Sequence, residues 1–323
     1  MKTKTCLSII LAGLSFAGRC LGDPTLVVVA RGDSAVNFYR ANGIGLQLIK
    51  SIPVGKDPAE MCLDPNGKRI FVGEVAKKSI AVIDVASQSV VGSLTAPELK
   101  KPDGCIVSPD SSKLYVLDSQ GAAAFVFSTD SLKLLAKIPV GTQPRRALFT
   151  RDGKTVLVSN GHSDTLSVID AASDKVVRTV KTGKEPRDML WTPDGKFLVV
   201  ALIVDDSVAY FNADTLELDR QVGTERSPQR IAISSDGEML FSLSRYQNAI
   251  SIADLTKSGE RRFVSSIPVG HWAFNMTMSA DGRYLYTANS TVDNSISIVD
   301  LRFGKVMNTL PVGKDPGCML FLK

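Results

Sequence analysis

The phrase Ile52-Pro53-Val54-Gly55-Lys56-Asp57-Pro58 returns along the chain, and this recurrence constrains the fold more than any other feature. Close copies are Ile138-Pro139-Val140-Gly141-Thr142-Gln143-Pro144 and Pro311-Val312-Gly313-Lys314-Asp315-Pro316. Looser ones are Thr182-Gly183-Lys184-Glu185-Pro186, Val222-Gly223 running to Pro228, and Ile267-Pro268-Val269-Gly270-His271. A repeat of this kind stacks one supersecondary unit many times, so that neighbours bury what no unit could bury alone. A second landmark marks each repeat: Pro65-Asn66-Gly67, Pro109-Asp110-Ser111, Arg151-Asp152-Gly153, Pro193-Asp194-Gly195, Ser235-Asp236-Gly237 and Ala280-Asp281-Gly282. Asn-Gly and Asp-Gly between apolar runs signal hairpins, because glycine takes a positive φ without a Cβ clash. Measured from Gly67 through Ser111, Gly153, Gly195, Gly237 and Gly282, the steps are 44, 42, 42, 42 and 45 residues. That is the length of a four-stranded propeller blade.

Short runs rich in β-branched residues fill the intervals, as in Ala147-Leu148-Phe149, Val156-Leu157-Val158, Leu166 to Asp170 and Val176 to Val180. No stretch keeps a 3.6-residue apolar period long enough for an ordinary helix. Four third strands close on an aspartate (Asp84, Asp170, Asp254, Asp300), the residue type that caps a following turn through its side chain. Six repeats run from about Ile52 to Leu310. The seventh blade then takes one inner strand from the C-terminus, Cys318 to Leu322, and three from the N-terminus: Thr25 to Ala30, Ser34 to Tyr39 and Leu46 to Ile49. Joining the two ends in one sheet removes the exposed edge of an open array. The expected fold is all-β, a seven-bladed propeller forming a single domain over residues 23–323.

With 44% hydrophobic and 22% charged residues, the composition supplies a large core. Met1 to Thr5 is basic and Cys6 to Ala17 is apolar, which reads as a secretory signal peptide over residues 1–22, cleaved after Ala17 or Gly22. Arg19 before Cys20 argues against a lipid anchor, and the expected location is periplasmic or secreted. Setting aside Lys2, Lys4 and Arg19 leaves 35 Lys+Arg against 33 Asp+Glu, a net +2 that does not by itself imply nucleic acid or membrane binding. Cys62, Cys105 and Cys318 read as buried small hydrophobes, with neither a disulfide framework's pattern nor zinc spacing.

The Val-Gly-x-x-Pro phrase, the Pro-Asp-Gly-Lys turn, Leu285-Tyr286-Thr287-Ala288-Asn289 and the Ser-Val-Ile-Asp strand together resemble the exported YVTN-repeat propellers, the YncE-like group, from about Pro24 to Lys323. Two blades depart from the pattern: Thr95 to Pro102 lacks the glycine, and Gly270 to Phe274 lacks the proline. The resemblance implies a cell-envelope binding module, a group that has been linked to single-stranded DNA.

In a propeller the inner strands start at one mouth of the central channel, which places the two residues after each phrase proline there. In order they are Ala59-Glu60, Asp103-Gly104, Arg145-Arg146, Arg187-Asp188, Gln229-Arg230, Phe274-Asn275 and Gly317-Cys318. Arg145, Arg146, Arg187 and Arg230 gather in one sector, where their forked donors suit carboxylate or phosphate. The competing reading is a structural ring in which Glu60, Arg146, Asp188 and Arg230 neutralise one another. Trp272 with Phe274 suggests an aromatic wall at the mouth, whereas Trp191 reads as core. His162 and His271 lie on loops of the same face; either could ligate haem, but two histidines on separate blades do not make a metal site. Asp205-Asp206 and Thr291 to Asn294 read as solvated turns rather than cation sites. No catalytic set, metal or cofactor is expected.

The function expected from these residues is a non-enzymatic binding propeller, monomeric, whose mouth takes a small anionic ligand, a peptide, an envelope protein or single-stranded nucleic acid. The alternative is a propeller enzyme or cofactor-handling protein, lactonase-like or haem- or quinone-associated.

Overall fold

The computed structural model describes residues 24–256 and 263–322; the leader expected over residues 1–22 lies outside them. Seven four-stranded antiparallel sheets form the blades. Counting from the first phrase proline, the inner strands are Pro58–Leu63, Pro102–Val107, Pro144–Phe149, Pro186–Trp191, Pro228–Ile233, Ala273–Met278 and Pro316–Phe321, for blades 1 to 7. Each phrase proline therefore opens an inner strand, where its missing N–H and fixed φ cost least.

Blade 7 is built as expected. Pro316–Phe321 pairs with Thr25–Ala30, Val27 opposite Leu320, and Ala35–Asn42 and Gly45–Pro53 complete the sheet. Arg31 and Asp315 pin the two ends together at 2.8 Å. Second and third strands are buried on both faces, as in Thr155–Asn160 and Thr165–Asp170, which explains their nearly continuous apolar runs. Fourth strands such as Lys175–Lys181 are mostly exposed and carry lysines that blunt the outer edge. The core is seven apolar clusters, each shared by two successive blades; Phe71 and Val82 of blade 1 meet Leu114 and Phe125 of blade 2, for example. The cluster uniting Val27 and Phe38 of blade 7 with Ile70 and Ile83 of blade 1 closes the ring. Among the described residues, no helix is long and apolar enough to cross a membrane.

The turn landmarks behave as their chemistry requires. Gly67, Gly153, Gly195, Gly237 and Gly282 have φ between 68 and 77°, and Ser111 takes their place at 61°. Asp84, Asp170, Asp254 and Asp300 accept the N–H of Ser87, Ser173, Thr256 and Arg302 respectively, so the expected capping role holds.

The phrase glycine has a role of its own, and one expectation needs correction. The phrase glycine is not there for a positive φ. That conformation falls on the residue before the strand, at Asp57, Gln143, Glu185, Ser227, Trp272 and Asp315, with φ of 51–58°. At Gly55 the constraint is contact: a Cβ would meet the Glu74 carboxylate at 2.8 Å, and the Gly55 N–H donates to Glu74 Oε1. The correction is that Cys62 and Cys105 form a disulfide, leaving Cys318 as a buried free thiol. The inner strands of blades 1 and 2 run side by side, bringing the two Cα atoms to 5.8 Å, a proximity that spacing along the chain does not reveal.

Candidate functional site

Every inner strand carries a register shift just after its start, as between Pro144 and Arg146 or Pro228 and Arg230. A bulge breaks the two-residue alternation and re-aims the side chains beside it. Repeated around the ring, it turns the pair after each proline toward the channel. The loops that lead into the strands are held from the side. Asp205 Oδ2 accepts the Lys184 N–H and Asp206 Oδ1 the Ser227 N–H, so one loop of blade 4 latches the leads of blades 4 and 5. Asp293 Oδ2 and Asn294 Oδ1 do the same for His271 and Asp315 around blade 6. These acidic loops act as latches rather than as merely solvated turns. In blade 2, which lacks the glycine, the fully buried Asp118 accepts the N–H groups of Lys100 and Lys101 and so fixes the approach to Asp103.

At the mouth lies a cavity of about 230 Å³ to which all seven blades contribute. Glu60, Asp103, Arg145, Arg187 and Arg230 line it, as the pairs after the prolines predict, and Phe274 faces it from blade 6. Three further cations join them: Arg31, Lys101 and Arg245. Arg31 and Arg245 each follow a second strand, in loops that share the mouth. Sequence reasoning confined to the pairs after the prolines missed them, although the residue following each second strand was an available signal. Six basic side chains thus face two acidic ones.

Beside this cavity the structural ring is present. Arg230 pairs with Glu60 and, at 3.6 Å, with Asp188; Arg146 reaches Glu60 at 3.3 Å and Asp188 at 3.2 Å. Burial alone would raise the Glu60 carboxyl, but Arg230 and Arg146 outweigh it and hold it below the ordinary carboxylate range. Burial likewise works against the Arg230 cation, and Glu60 and Asp188 reverse that and raise it. Cys318 lies against the same ring, its thiol pushed up by burial and by Glu60. Arg146 and Arg230 are therefore committed to the carboxylates of this ring.

Arg187 and Arg245 are not. Arg145 sits 3.7 Å from Asp103 and Lys101 3.3 Å from it, but among the described residues neither Arg187 nor Arg245 has a carboxylate at ion-pair distance. Desolvation, then repulsion from Arg230 and Arg145, pushes the Arg187 guanidinium down to about 9. Desolvation also lowers Arg245. Both stack near the Phe274 ring, at 5.4 and 5.8 Å, with Arg31 at 5.0 Å, so three guanidiniums surround one aromatic ring. Trp272 stands at the rim, 42% exposed, with Arg245 4.5 Å from its ring. Trp191 donates its Nε1–H to Phe149 O and packs in the core. Asn275 is buried on its inner strand and does not line the cavity. His162 is exposed in the 3-10 turn Gly161–Ser163, and His271 is exposed with Nδ1 3.1 Å from Asp293; neither reaches the cavity. Among the described residues, no group of three or more His, Cys, Asp or Glu side chains is placed to hold a metal ion.

Comparison with known proteins adds the following. The family model described as YNCE-like beta-propeller matches residues 105–261, and that of the 7-bladed lactonase beta-propeller matches residues 213–321. No curated protein matches the chain in sequence. Among solved structures, a proposed 6-phosphogluconolactonase of Bacteroides fragilis superposes with a TM-score of 0.82 at 16% identity, covering 95% of this chain and 100% of its own. The periplasmic gluconolactonase of Pseudomonas aeruginosa gives 0.77 at 19% identity, covering 93% and 99%. Hydrazine synthase of Kuenenia stuttgartiensis gives 0.75 at 19%, covering 88% and 97%. Such low identities carry the fold and leave function to the site. The chain is a seven-bladed β-propeller, similar over residues 105–261 to the YNCE-like propellers.

Proposed function

We propose that the protein is a binding propeller whose channel mouth takes a small anionic ligand bearing carboxylate or phosphate. The observation that carries this reading is the pair Arg187 and Arg245, two desolvated guanidiniums without a carboxylate partner in a cavity where cations outnumber acids. Holding them there is unfavourable until an anion arrives, and forked N–H donors in a low-dielectric recess suit that anion well. The volume of about 230 Å³ falls below the roughly 300–1,000 Å³ of pockets for drug-sized ligands, which favours a compact molecule. A nucleic acid strand would need a groove along its backbone with successive stacking aromatics, and a closed ring-centred recess fits that less well. Export to an oxidising compartment agrees with the Cys62–Cys105 disulfide.

Thermal denaturation with phosphate, citrate or acetate tests the reading. A ligand at 100 times its Kd stabilises by about 2.7 kcal/mol. The wild type should gain melting temperature with at least one of these anions, and Arg187→Met/Arg245→Met should lose the gain. No stabilisation of the wild type by any anion sinks the proposal. A second reading, ring-opening of a sugar lactone, draws on the lactonase-propeller match over residues 213–321. Proton release on adding gluconolactone, above its spontaneous rate and dependent on Arg187, would favour turnover over binding.

A further inference from the structure

Trp272 is out of place as scaffold. It occupies the position before an inner strand, where the backbone takes φ of 54°. Five other blades fill that position with Asp57, Gln143, Glu185, Ser227 and Asp315. All five are polar and unbranched at Cβ, whereas a bulky aromatic in the left-handed region is an outlier. The structural duty of the position is met by the backbone alone, since the Trp272 N–H donates to Asn248 Oδ1 at 2.8 Å. The indole is not buried to compensate: it remains 42% exposed at the rim of the mouth. What it does touch is Arg245, whose guanidinium lies 4.5 Å from the indole and 5.8 Å from the Phe274 ring. A guanidinium stacked by its flat face keeps its in-plane N–H fork for a ligand. Tyr246, next in the chain to Arg245, is 68% exposed on the same rim. Strain at a functional mouth, carried by a side chain that the fold does not need, points to a binding role.

We propose that the ligand of the mouth is a ring-bearing carboxylate, its charge held by Arg245 and Arg187 and its ring laid against Trp272, which sets specificity for the non-ionic part. This rests on the mouth being an anion site. Aromatic acids and sugar acids share the required chemistry, because a flat aromatic face and the C–H face of a pyranose both stack on indole.

Three carboxylates that differ only in what carries the charge separate the possibilities: acetate, benzoate and glucuronate, titrated calorimetrically into the wild type and Trp272→Ala at low salt. At least one ring-bearing acid should bind the wild type 10-fold or more tightly than acetate. Trp272→Ala should remove that advantage while leaving acetate within twofold, and Trp272→Phe should keep part of it. In a Trp191→Phe background, where Trp272 is the remaining tryptophan, the ring-bearing acid should quench fluorescence and acetate should not. Preference for benzoate identifies an aromatic acid, and preference for glucuronate a sugar acid. Equal affinity for all three overturns the inference and leaves the anion site standing, as does an equal loss of all three in Trp272→Ala. Absence of binding by every carboxylate and by phosphate overturns both.

Discussion

Arg230 and Glu60 lie 170 residues apart in the chain, on blades 5 and 1, and pair inside the channel. Both are nearly buried, and Arg146 and Asp188 share their charges, so the four side chains tie three inner strands to the strand of blade 1 across the ring axis. Removing Glu60 leaves the buried Arg230 with Asp188 alone at 3.6 Å; breaking a buried pair typically costs about 3–5 kcal/mol, whereas an apolar pair of similar volume is often neutral. Glu60→Ala should therefore destabilise by that amount in urea unfolding, and Glu60→Leu/Arg230→Met should recover most of it.

The same ring gives the protein an acid-sensitive element. The Glu60 carboxyl is held below its ordinary value in the folded state, so its contribution is present above the unfolded pKa of about 4.5 and is lost as pH falls through the folded pKa. Stability measured between pH 6 and 3 should fall as the pH drops below about 4.5, and Glu60→Gln should flatten that dependence. An unchanged slope in Glu60→Gln would assign acid sensitivity to other carboxylates.

Blade number, ring closure and the pairs lining the mouth were legible because each rests on a spacing that repeats. Seven residues separate Pro58 from Pro65, Pro102 from Pro109 and Pro186 from Pro193, which marks the inner strand that each phrase proline opens. What stayed hidden depends on neighbours in space with no repeated mark in sequence. Arg31 and Arg245 occupy the position after a second strand, filled elsewhere by Val75, Ser119, Gly161, Ile203 and Ser290, and Lys101 precedes the inner strand of the blade that lacks the glycine. The Cys62–Cys105 bond joins two inner strands that only the ring brings together. The role of the phrase glycine was hidden for a related reason: its constraint at Gly55 is the Glu74 side chain 19 residues later.

The disulfide makes its own prediction. It closes a span of 43 residues between blades 1 and 2, for which loop-closure entropy suggests roughly 2–4 kcal/mol. Cys62→Ser/Cys105→Ser should lower the unfolding free energy by about that much. Thiol titration of the denatured, unreduced chain from Pro24 onward should find Cys318 alone.

The latches predict a local effect. Asp206 Oδ1 accepts the Ser227 N–H at 2.7 Å and steadies the lead into Pro228–Ile233, the strand that carries Arg230. Hydrogen bonds to a charged acceptor contribute roughly 1.5–3 kcal/mol, and the partly exposed loop places this one at the lower end. In Asp206→Ala, amide exchange at Ser227 should quicken more than in the inner strands of blades 1 and 2. Uniform quickening would mean that the loop has no separate role.

Arg187 offers the sharpest separation of stability from function. A guanidinium desolvated in the channel, repelled by Arg230 and Arg145 and without its own carboxylate, disfavours the unliganded fold. Arg187→Met keeps the packing against Phe274 and removes the charge, so the empty protein should become more stable by about 0.5–2 kcal/mol, the range common when a functional strain is relieved. The same substitution should abolish stabilisation by anions. A merely structural arginine would lose stability on replacement and leave anion binding untouched, so the two measurements move in opposite directions for the two roles.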